Sequence, residues 1–343
     1  MIAASMHALS YRDAVNEALR RAMTEDDRVI LLGEDITGGA GRSEFERADA
    51  WGGPFRCTRE LAGQFGRERV LDTPISEAGF VGASVGAAAT GLRPVVELMF
   101  LDFFGSCGDA LINQAAKLPL MSGGRVRLPL TVRTTIGTEF MAAAQHSAAY
   151  HAVFCHIPGW TVVMPSTPSD ARSLLLAAIR SDDPVLFIEH RDSYDDEEDA
   201  PTEWDAGHLG EAVVRRPGND LTLVAASRMT GVALTAAESL AGEGIDAEVV
   251  DLRTVSPLDL GTVLASVRRT GAVAVIDEGH ARCGIARDLA AQIAEAAWSA
   301  LRAAPVVVAA PDEHVRFSPP LARRVPPSAE RITSIGRALA QRC

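Results

Sequence analysis

Apolar runs of strand length alternate with helix-like stretches along the N-terminal part of the chain. A capping pattern, Ser10-x-x-Asp13, predicts a first helix that runs to about Met23. Near-continuous apolar strands separated by helices are typical of a parallel sheet with helices on both faces. The predicted strands span residues 29–32, 95–100, 130–133, 162–164 and 185–188. This pattern predicts a doubly wound α/β domain.

An acidic stretch interrupts the alternation, with six acids in the eight positions from Asp192 to Asp199. A charge run of this kind is usually solvated, and we predict an acidic linker at 192–205. A second alternation of strands and helices follows. Its predicted strands span 221–225, 247–250, 272–276 and 306–308, and its last helix follows Pro326-Pro327. The chain is therefore expected to form two doubly wound three-layer α/β domains, 1–191 and 206–343.

Composition narrows the class of protein. The chain has 343 residues, 47% of them hydrophobic, which is enough for two well-buried cores. A net charge of −12 without clustered Lys and Arg argues against a nucleic-acid or membrane-surface footprint. The stretch from Met1 to Tyr11 does not resemble a secretory leader, and no segment reaches membrane-spanning length without interruption. We expect a cytoplasmic globular protein.

Several common kinds of site lack support in the sequence. The five cysteines, at positions 57, 107, 155, 283 and 343, form no Cys-x-x-Cys pair and are expected to be reduced and mostly buried. His146, His151 and His156 recur every five residues, so the spacing does not favour a zinc pair on one helical face. Neither half contains Gly-x-Gly-x-x-Gly or a Walker sequence, which removes the main support for nicotinamide or nucleoside-triphosphate binding.

Glu77 is the most informative candidate residue. It stands in the run Asp72-Thr-Pro-Ile-Ser-Glu-Ala-Gly-Phe80, followed by a nearly all-small stretch from Gly79 to Gly91 that predicts a closely packed helix. A carboxylate in such a setting needs a partner, and burial could let it share a proton with a ring nitrogen. Thiamine diphosphate requires such a group at N1′ of its aminopyrimidine. A structural Glu that caps a turn is the alternative reading of this residue alone.

Phrases spread over almost the whole chain resemble the β subunit of the thiamine-diphosphate-dependent decarboxylase component of 2-oxo acid dehydrogenase complexes. They are Leu31-Leu-Gly-Glu-Asp35, the run around Glu77, Gly91-Leu-Arg-Pro-Val-Val-Glu97, Asn113-Gln-Ala-Ala-Lys117, Met121-Ser-Gly-Gly124, Ala144-Gln-His-Ser147, Val163-Met-Pro-Ser-Thr-Pro168 and Asp251-Leu-Arg-Thr-Val-Ser-Pro-Leu-Asp259. The resemblance implies a transketolase-like pyrimidine-binding domain followed by a transketolase C-terminal-like domain.

Within that family the chain looks most similar to acetoin dehydrogenase β subunits. The local phrases are Gly38-Gly-Ala-Gly41, Asp49-Ala-Trp-Gly-Gly53, Glu97-Leu-Met-Phe-Leu-Asp-Phe103, Ala142-Ala-Ala-Gln-His146, Asp277-Glu278 and Arg282-Cys283. The chain departs from the family pattern at Thr138-Glu-Phe140, at Ala148 where a Gln often follows the serine, and at Gly279-His280. These departures bear on the substrate more than on the cofactor.

The resemblance also implies roles for single residues. Glu77 matches the carboxylate that activates the aminopyrimidine, and Phe103 matches the aromatic residue that stacks on that ring. His146 matches the active-site histidine that faces the reacting carbon; its side chain can titrate near neutrality and carry a proton. The family further holds a potassium ion by main-chain oxygens, here matched by Leu130, Ala178, Ile179, Ser181 and Asp183. Ser181 stands where Asp is common, which leaves a carbonyl ligand unaffected.

A missing motif implies a partner. The superfamily binds magnesium and the diphosphate through Gly-Asp-Gly and a later Asn, and this sequence has no Gly-Asp-Gly. The resemblance therefore implies that an α subunit supplies magnesium and most of the thiamine diphosphate site, in an α2β2 heterotetramer. The expected enzyme cleaves acetoin or decarboxylates a 2-oxo acid such as pyruvate and passes the product to the lipoyl group of an acyltransferase.

Two other functions stay open at this stage. The bound two-carbon unit could pass to a carbonyl acceptor, as in an acyloin-forming enzyme of specialised metabolism. A non-catalytic scaffold subunit is the alternative of a different class, and the presence of Glu77, Phe103 and His146 argues against it. A single-chain transketolase is disfavoured because such enzymes carry both halves of the cofactor site.

Overall fold

The structure is a computed structural model that describes residues 5–37, 52–138 and 141–341. The chain divides into two compact units. The first comprises Met1–Ile136, His156–Val163 and Thr167–Leu209, and the second comprises Gly137–Cys155, Met164–Ser166 and Gly210–Cys343. Among the described helices, none is both long and apolar enough to cross a membrane.

A parallel sheet forms the centre of the first unit. The strands of this unit are β1 (Met6–Ser10), β2 (Val29–Glu34), β3 (Val70–Thr73), β4 (Arg93–Leu98), β5 (Thr131–Ile136), β6 (Thr161–Val163), β7 (Val185–His190) and β8 (Glu197–Pro201). Six of them lie in the order β6-β7-β5-β4-β2-β3, and all these neighbours are parallel. Every residue of β4, β5 and β7 is buried, which explains their continuous apolar pattern. The predicted parallel sheet is confirmed.

Helices cover both faces of this sheet. The helices of the first unit are α1 (Tyr11–Glu25), α2 (Leu61–Phe65), α3 (Glu77–Ala89), α4 (Leu118–Met121) and α6 (Pro168–Arg180), and α5 (His151–Cys155) belongs to the second unit. Ser10 caps α1, because its Oγ accepts a hydrogen bond from Asp13 N at 3.1 Å. Thr167 caps α6 in the same way through Asp170 N. The predicted capping pattern of the first helix is confirmed.

The acidic stretch is more structured than the sequence indicates. Residues 197–201 form β8, which pairs antiparallel with β1. The side chain of Trp204 contacts the guanidinium groups of Arg21 and Arg172, whose central carbons are 4.7 and 4.6 Å from its ring centroids. The predicted linker 192–205 thus includes a strand and an anchored aromatic residue. The reason is that a two-stranded edge ribbon tolerates acids, whose side chains face water.

The second unit contains a smaller, mixed sheet. The strands of the second unit are β9 (Val213–Arg216), β10 (Leu221–Ala225), β11 (Ala247–Asp251), β12 (Thr254–Ser256), β13 (Val273–His280) and β14 (Val306–Ala310). Besides α5, the helices of this unit are α7 (Arg228–Ala241), α8 (Leu260–Thr270), α9 (Ile285–Ala297), α10 (Pro319–Ala322) and α11 (Ala329–Ala340). Five strands lie in the order β14-β13-β10-β11-β9, and only β9 runs antiparallel to its neighbour. The second α/β alternation is confirmed.

The compact units do not follow a single cut in the chain. The segments 137–155 and 164–166 belong to the second unit, although both precede the predicted linker. The first of these segments carries His146. The domains 1–191 and 206–343 therefore stay a prediction, because each compact unit is built from three separate segments of the chain.

Candidate functional site

Glu77 is the first residue of α3, directly after the turn that leaves β3. The carboxyl ends of parallel strands and the following helix N-termini share one edge of such a sheet, where ligands commonly bind. The partial positive charge at a helix N-terminus also favours a carboxylate there. In this chain Glu77 is half-buried, whereas the sequence suggested full burial. The reason is its place at the edge of the sheet, outside the core.

Ser106 connects Glu77 to Phe103. Its Oγ lies 3.2 Å from Glu77 Oε2 and 2.8 Å from the main-chain oxygen of Phe103. The hydroxyl carries one proton, which it can donate to either acceptor. Among the described residues, Ser106 is the hydrogen-bond partner of the Glu77 carboxylate, and Oε1 is left for a further partner. The first unit therefore brings two of the predicted site residues together.

Phe103 lies on a 3-10 helix, Leu101–Gly105, that follows β4. The side chain is half-buried and packs edge-on against Phe100, with ring centroids 5.4 Å apart and an angle of 71°. Phe100 itself packs on Phe55 in the core. The core thus fixes one side of the Phe103 ring, and its partial exposure leaves surface for a second ring.

A second acid lies close to Glu77. Burial raises the pKa of Glu34, at the end of β2, and the neighbouring Asp35 and Glu77 carboxylates raise it further. Burial also raises the pKa of the Cys107 thiol to about 12, with a contribution from Glu77. Glu34 and Ser106 are candidate site residues that the sequence interpretation missed.

A buried charge cluster lies in the same unit. Arg133 donates to Glu189 Oε1 at 2.6 Å and to Glu97 Oε2 at 2.9 Å, and all three side chains are buried. Tyr194 also donates to Glu189, at 2.7 Å. Burial raises the pKa of Glu97, although Arg133 opposes this effect. One guanidinium thus balances two carboxylates inside the first unit.

His146 lies in the second unit, on the segment between β5 and α5. It is half-buried, and the two nearby residues Met141 and Ala143 both have a positive φ of 57°. Left-handed backbone at residues other than glycine costs roughly 1–3 kcal/mol each and often marks functional segments. The structure thus places His146 in the second unit, on a strained segment.

The predicted potassium ligands lie in the first unit, and hydrogen bonds link the loops that carry them. Arg93 donates to the carbonyls of Ile179 and Ser181 at 3.0 and 2.6 Å. The Leu130 carbonyl accepts a hydrogen bond from Val185 N, and the Ala178 carbonyl accepts one from Ser181 N. The Asp183 carbonyl accepts a hydrogen bond from Ser181 Oγ. Each oxygen keeps a second lone pair, so the set could still accept a cation.

Several features singled out in the sequence lie outside the described residues, and the described cysteines and histidines do not form a metal site. The phrase Gly38–Gly41, the first part of Asp49–Gly53, and the departure Glu139-Phe140 are outside, as is Cys343. Cys57, Cys107, Cys155 and Cys283 are free thiols, and two of them are buried. Within the described ranges, His, Cys, Asp and Glu side chains form no group of three or more that could hold a metal ion.

Comparisons with known proteins show the family to which the chain belongs. The family described as "Transketolase, pyrimidine binding domain" matches residues 7–197, and "Transketolase, C-terminal domain" matches residues 210–332. The chain is 49% identical over 329 residues to the acetoin:2,6-dichlorophenolindophenol oxidoreductase subunit beta of Cupriavidus necator, covering 96% of each chain. It is 46% identical over 327 residues to the protein of that name from Bacillus subtilis, covering 95% of this chain and 96% of the relative.

Two further matches extend the comparison. The pyruvate dehydrogenase E1 component subunit beta of Bacillus subtilis is 39% identical over 314 residues, covering 91% of this chain and 93% of the relative. A solved structure described as "Split gene transketolase, inactive beta4 tetramer" has a TM-score of 0.74 at 24% identity, and the match covers 97% of this chain and 98% of that one. At that identity the structural likeness supports the fold alone.

Proposed function

This chain belongs to the family of E1 β subunits of acetoin and pyruvate dehydrogenases, and from that membership we propose that it forms half of a thiamine-diphosphate-dependent enzyme. The proposed reaction cleaves acetoin or decarboxylates a 2-oxo acid such as pyruvate. The high identity to two subunits named for acetoin favours acetoin among these substrates. The two-carbon unit would be oxidised to an acyl group as it passes to a lipoyl group on a separate acyltransferase, whose disulfide would be reduced in the same step.

The observation that carries the proposal is the arrangement of Glu77, Ser106 and Phe103. The half-buried Glu77 carboxylate is linked through the Ser106 hydroxyl to the main chain of Phe103, whose half-buried ring packs on the core. These residues fit an aminopyrimidine, which needs a carboxyl group at one ring nitrogen and an apolar surface under its plane. A scaffold subunit would require neither group.

Thiamine diphosphate would supply the carbon nucleophile that attacks the substrate carbonyl. Glu77 would hold a proton between its Oε1 and the pyrimidine nitrogen, while Ser106 orients the other carboxylate oxygen. Phe103 would keep the pyrimidine plane fixed and exclude water from one of its faces.

His146 would act on the substrate side of the reaction. A histidine side chain can donate or accept a proton, which suits an oxygen that gains charge during carbon-carbon bond cleavage. Backbone strain at Met141 and Ala143 is consistent with a segment held in one functional conformation. This role remains separate from that of Glu77.

We propose that an α subunit completes the site in an α2β2 heterotetramer and brings magnesium and the diphosphate ligands. Near Glu77, Ile75 is 78% exposed. On α4, Leu120 is 84% and Met121 is 75% exposed. Large exposed apolar residues commonly mark protein interfaces. On α3, an added Cβ at Gly82 or Gly86 would meet nothing within 4 Å, so a partner helix could approach closely there.

Potassium is a further proposal for the five carbonyls around Arg93. Binding to the folded state alone would stabilise the complex by mass action. We expect a higher unfolding temperature in potassium chloride than in sodium chloride at equal ionic strength. Equal unfolding temperatures over a wide concentration range would contradict the proposed site.

Co-expression with the α subunit provides the direct test of function. The purified complex, supplied with magnesium and thiamine diphosphate, should reduce 2,6-dichlorophenolindophenol when given acetoin or pyruvate. The matched control exchanges Glu68, an exposed acid elsewhere in the first unit, for Gln. The proposal fails if the wild-type complex turns over neither substrate, or if the Glu77→Gln complex is as active as Glu68→Gln.

The acceptor separates the two enzymatic alternatives. A lipoyl acyltransferase gene beside the gene for this chain, and acyl transfer to its lipoyl domain, would support the dehydrogenase function. Release of an acyloin from pyruvate and an added aldehyde, with no transfer to a lipoyl domain, would favour the acyloin-forming alternative.

A further inference from the structure

The segment that carries His146 is tied to the second unit by a buried ion pair. His151, the first residue of α5, is fully buried, and its Nε2 lies 3.1 Å from Oδ1 of Asp277. Asp277 lies on β13, near the end of that strand, and is also buried. The same Oδ1 accepts a hydrogen bond from Gly279 N at 3.0 Å. The contact between His151 and Asp277 therefore joins the start of α5 to β13.

The pKa of each member is shifted in the direction that favours its charged form. Burial alone would lower the pKa of His151, but the nearby Asp277 carboxylate raises it above its usual value. Burial would raise the pKa of Asp277, and His151 lowers it below its usual value. Glu278 also raises the pKa of His151. Cys155, whose pKa is raised to about 12 by burial and by Asp277 and Asp288, stays a neutral thiol.

The backbone of β13 comes close to this segment because residue 279 is glycine. A Cβ at Gly279 would lie 3.0 Å from His151 Cε1, 3.0 Å from Asp277 Oδ2 and 3.3 Å from the Ala149 carbonyl oxygen. Those distances are too short for a side chain without displacement of the ion pair. The end of β13 is itself fixed, because His280 Nδ1 donates to the Pro311 carbonyl at 2.8 Å.

Four of the described positions at which this chain departs from its family pattern line one cleft. Thr138, Ala148, Gly279 and His280 line one small cleft in the second unit, together with Ala144, Ser147, Ala149, Tyr150, Glu278 and residues from 310–325. Both Ala144 and Ser147, which lie close to His146 in sequence, line this cleft, but His146 does not.

We propose that His151 and Asp277 are positioning residues for His146, and that Gly279 is the glycine that lets this pair form. The ion pair would fix the start of α5 against β13 and thereby hold the strained turn before His146 in one conformation. The inference rests on the proposed role of His146 in the reaction. It adds residues that act through His146 and do not themselves contact the substrate.

The three equally spaced histidines provide a matched design. His146 is half-buried on the segment, His151 is buried in the ion pair, and His156 is exposed. The complex with the α subunit would be prepared with His146→Ala, His151→Gln and His156→Gln. Two quantities would be measured for each: proton exchange at the thiazolium C2 carbon, and the single-turnover rate with acetoin or pyruvate.

We expect normal C2 exchange in all three variants. Single turnover should fall in His146→Ala, and by about 10- to 100-fold in His151→Gln, because a displacement of about 1 Å at a catalytic group can cost that much. The rate of His156→Gln should stay within about twofold of wild type. If His146→Ala has the wild-type rate, the proposed function of His146 fails. If His146→Ala is slow and folded His151→Gln is as fast as His156→Gln, only the positioning role fails.

Gly279→Ala keeps the inference testable if His151→Gln does not fold. This variant retains both charges and displaces their contact through one added methyl group. We expect a lower kcat with little change in KM, together with a changed pH dependence of kcat as the His151–Asp277 contact weakens. An unchanged kcat and pH profile in Gly279→Ala would overturn the positioning role. The nearby glycine variant Gly261→Ala, where the added Cβ approaches only Asp259 Oδ1 at 3.4 Å, serves as the control.

Discussion

The two units bury charge in different ways. The first unit encloses Arg133 between Glu97 and Glu189, and the second encloses His151 beside Asp277. Arginine stays protonated at every pH that proteins experience, whereas histidine can lose its proton near neutrality. The positive charge in the first unit is therefore permanent, whereas the positive charge in the second unit depends on pH. A permanent cluster suits the fixed core of a sheet, and a conditional pair suits the attachment of a functional segment.

The difference also concerns what remains when one partner is lost. Removal of Arg133 leaves two buried carboxylates, and only by taking up protons can they become neutral. Removal of the Asp277 charge leaves a histidine that can release its proton and become neutral. The consequences of mutation should therefore differ in size.

The largest effect is expected for Arg133→Met. The new side chain has a similar length, but it leaves Glu97 and Glu189 without their cation, and breaking a buried ion pair in this way costs about 3–5 kcal/mol. Urea unfolding of the complex would measure the loss. A change no larger than that of an exposed arginine variant would contradict the description of this cluster as a buried, mutually dependent set.

A smaller effect is expected for Asp277→Asn. The amide keeps the shape and a hydrogen-bond acceptor, and His151 can become neutral, so we expect a loss of about 1–3 kcal/mol, as for an unsatisfied buried polar group. Urea unfolding of Asp277→Asn and Arg133→Met under the same conditions compares their losses of unfolding free energy. If Asp277→Asn is the more destabilised of the two, the comparison of the units is wrong.

Dependence on pH should separate the units further. Because the pKa of His151 is raised in the folded state, its stabilising contribution is complete below about pH 6.5 and is lost as the pH rises through the folded pKa. The unfolding free energy of wild type minus that of His151→Gln should therefore shrink between about pH 6 and pH 9. A constant difference across that range would mean that His151 is not charged in the fold.

The contribution of Asp277 has the opposite sign. Its pKa is lowered in the folded state, so its stabilising contribution is present above about pH 4 and is lost as the pH falls through the folded pKa. Arg133 does not titrate in either range. The second unit should consequently carry a pH dependence that the arginine of the first unit cannot produce.

The smallest effect is expected at the surface. Arg337 forms an ion pair with Glu243, and both side chains are partly exposed. Water and salt screen such a pair, so Arg337→Gln should leave the unfolding curve almost unchanged. A loss comparable to that of Asp277→Asn would show that pairing, and not burial, determines the energies compared above.

Sequence patterns predicted the sheet well where strands are buried on both faces. The run Leu221–Ala225 was predicted with the bounds of β10, since every one of its residues is buried. The strands β1 and β8 were missed because Met6–Ser10 and Glu197–Pro201 contain polar residues that an edge ribbon leaves in water. The short β3 was missed for lack of a recognisable period.

The candidate site was predictable only as far as single residues matched a family pattern. Glu77, Phe103 and His146 could be named in this way, but Ser106 could not, since its role depends on a turn that brings its hydroxyl to Glu77. Glu34 stood within a recognised phrase, yet its proximity to Glu77 depends on strand order. His151 and Asp277 lie far apart in the chain, and nothing local indicates that they meet.

The most direct test of the central claim concerns the assignment of Glu77 to the pyrimidine. The complex with Glu77→Gln would be compared with wild type and with Glu68→Gln for the rate of hydrogen-deuterium exchange at the thiazolium C2 carbon. The amide keeps the volume of the side chain but cannot share the proton, so exchange should slow by about a hundredfold or more, while Glu68→Gln exchanges normally. Near-normal exchange in an assembled, cofactor-loaded Glu77→Gln complex would contradict the account.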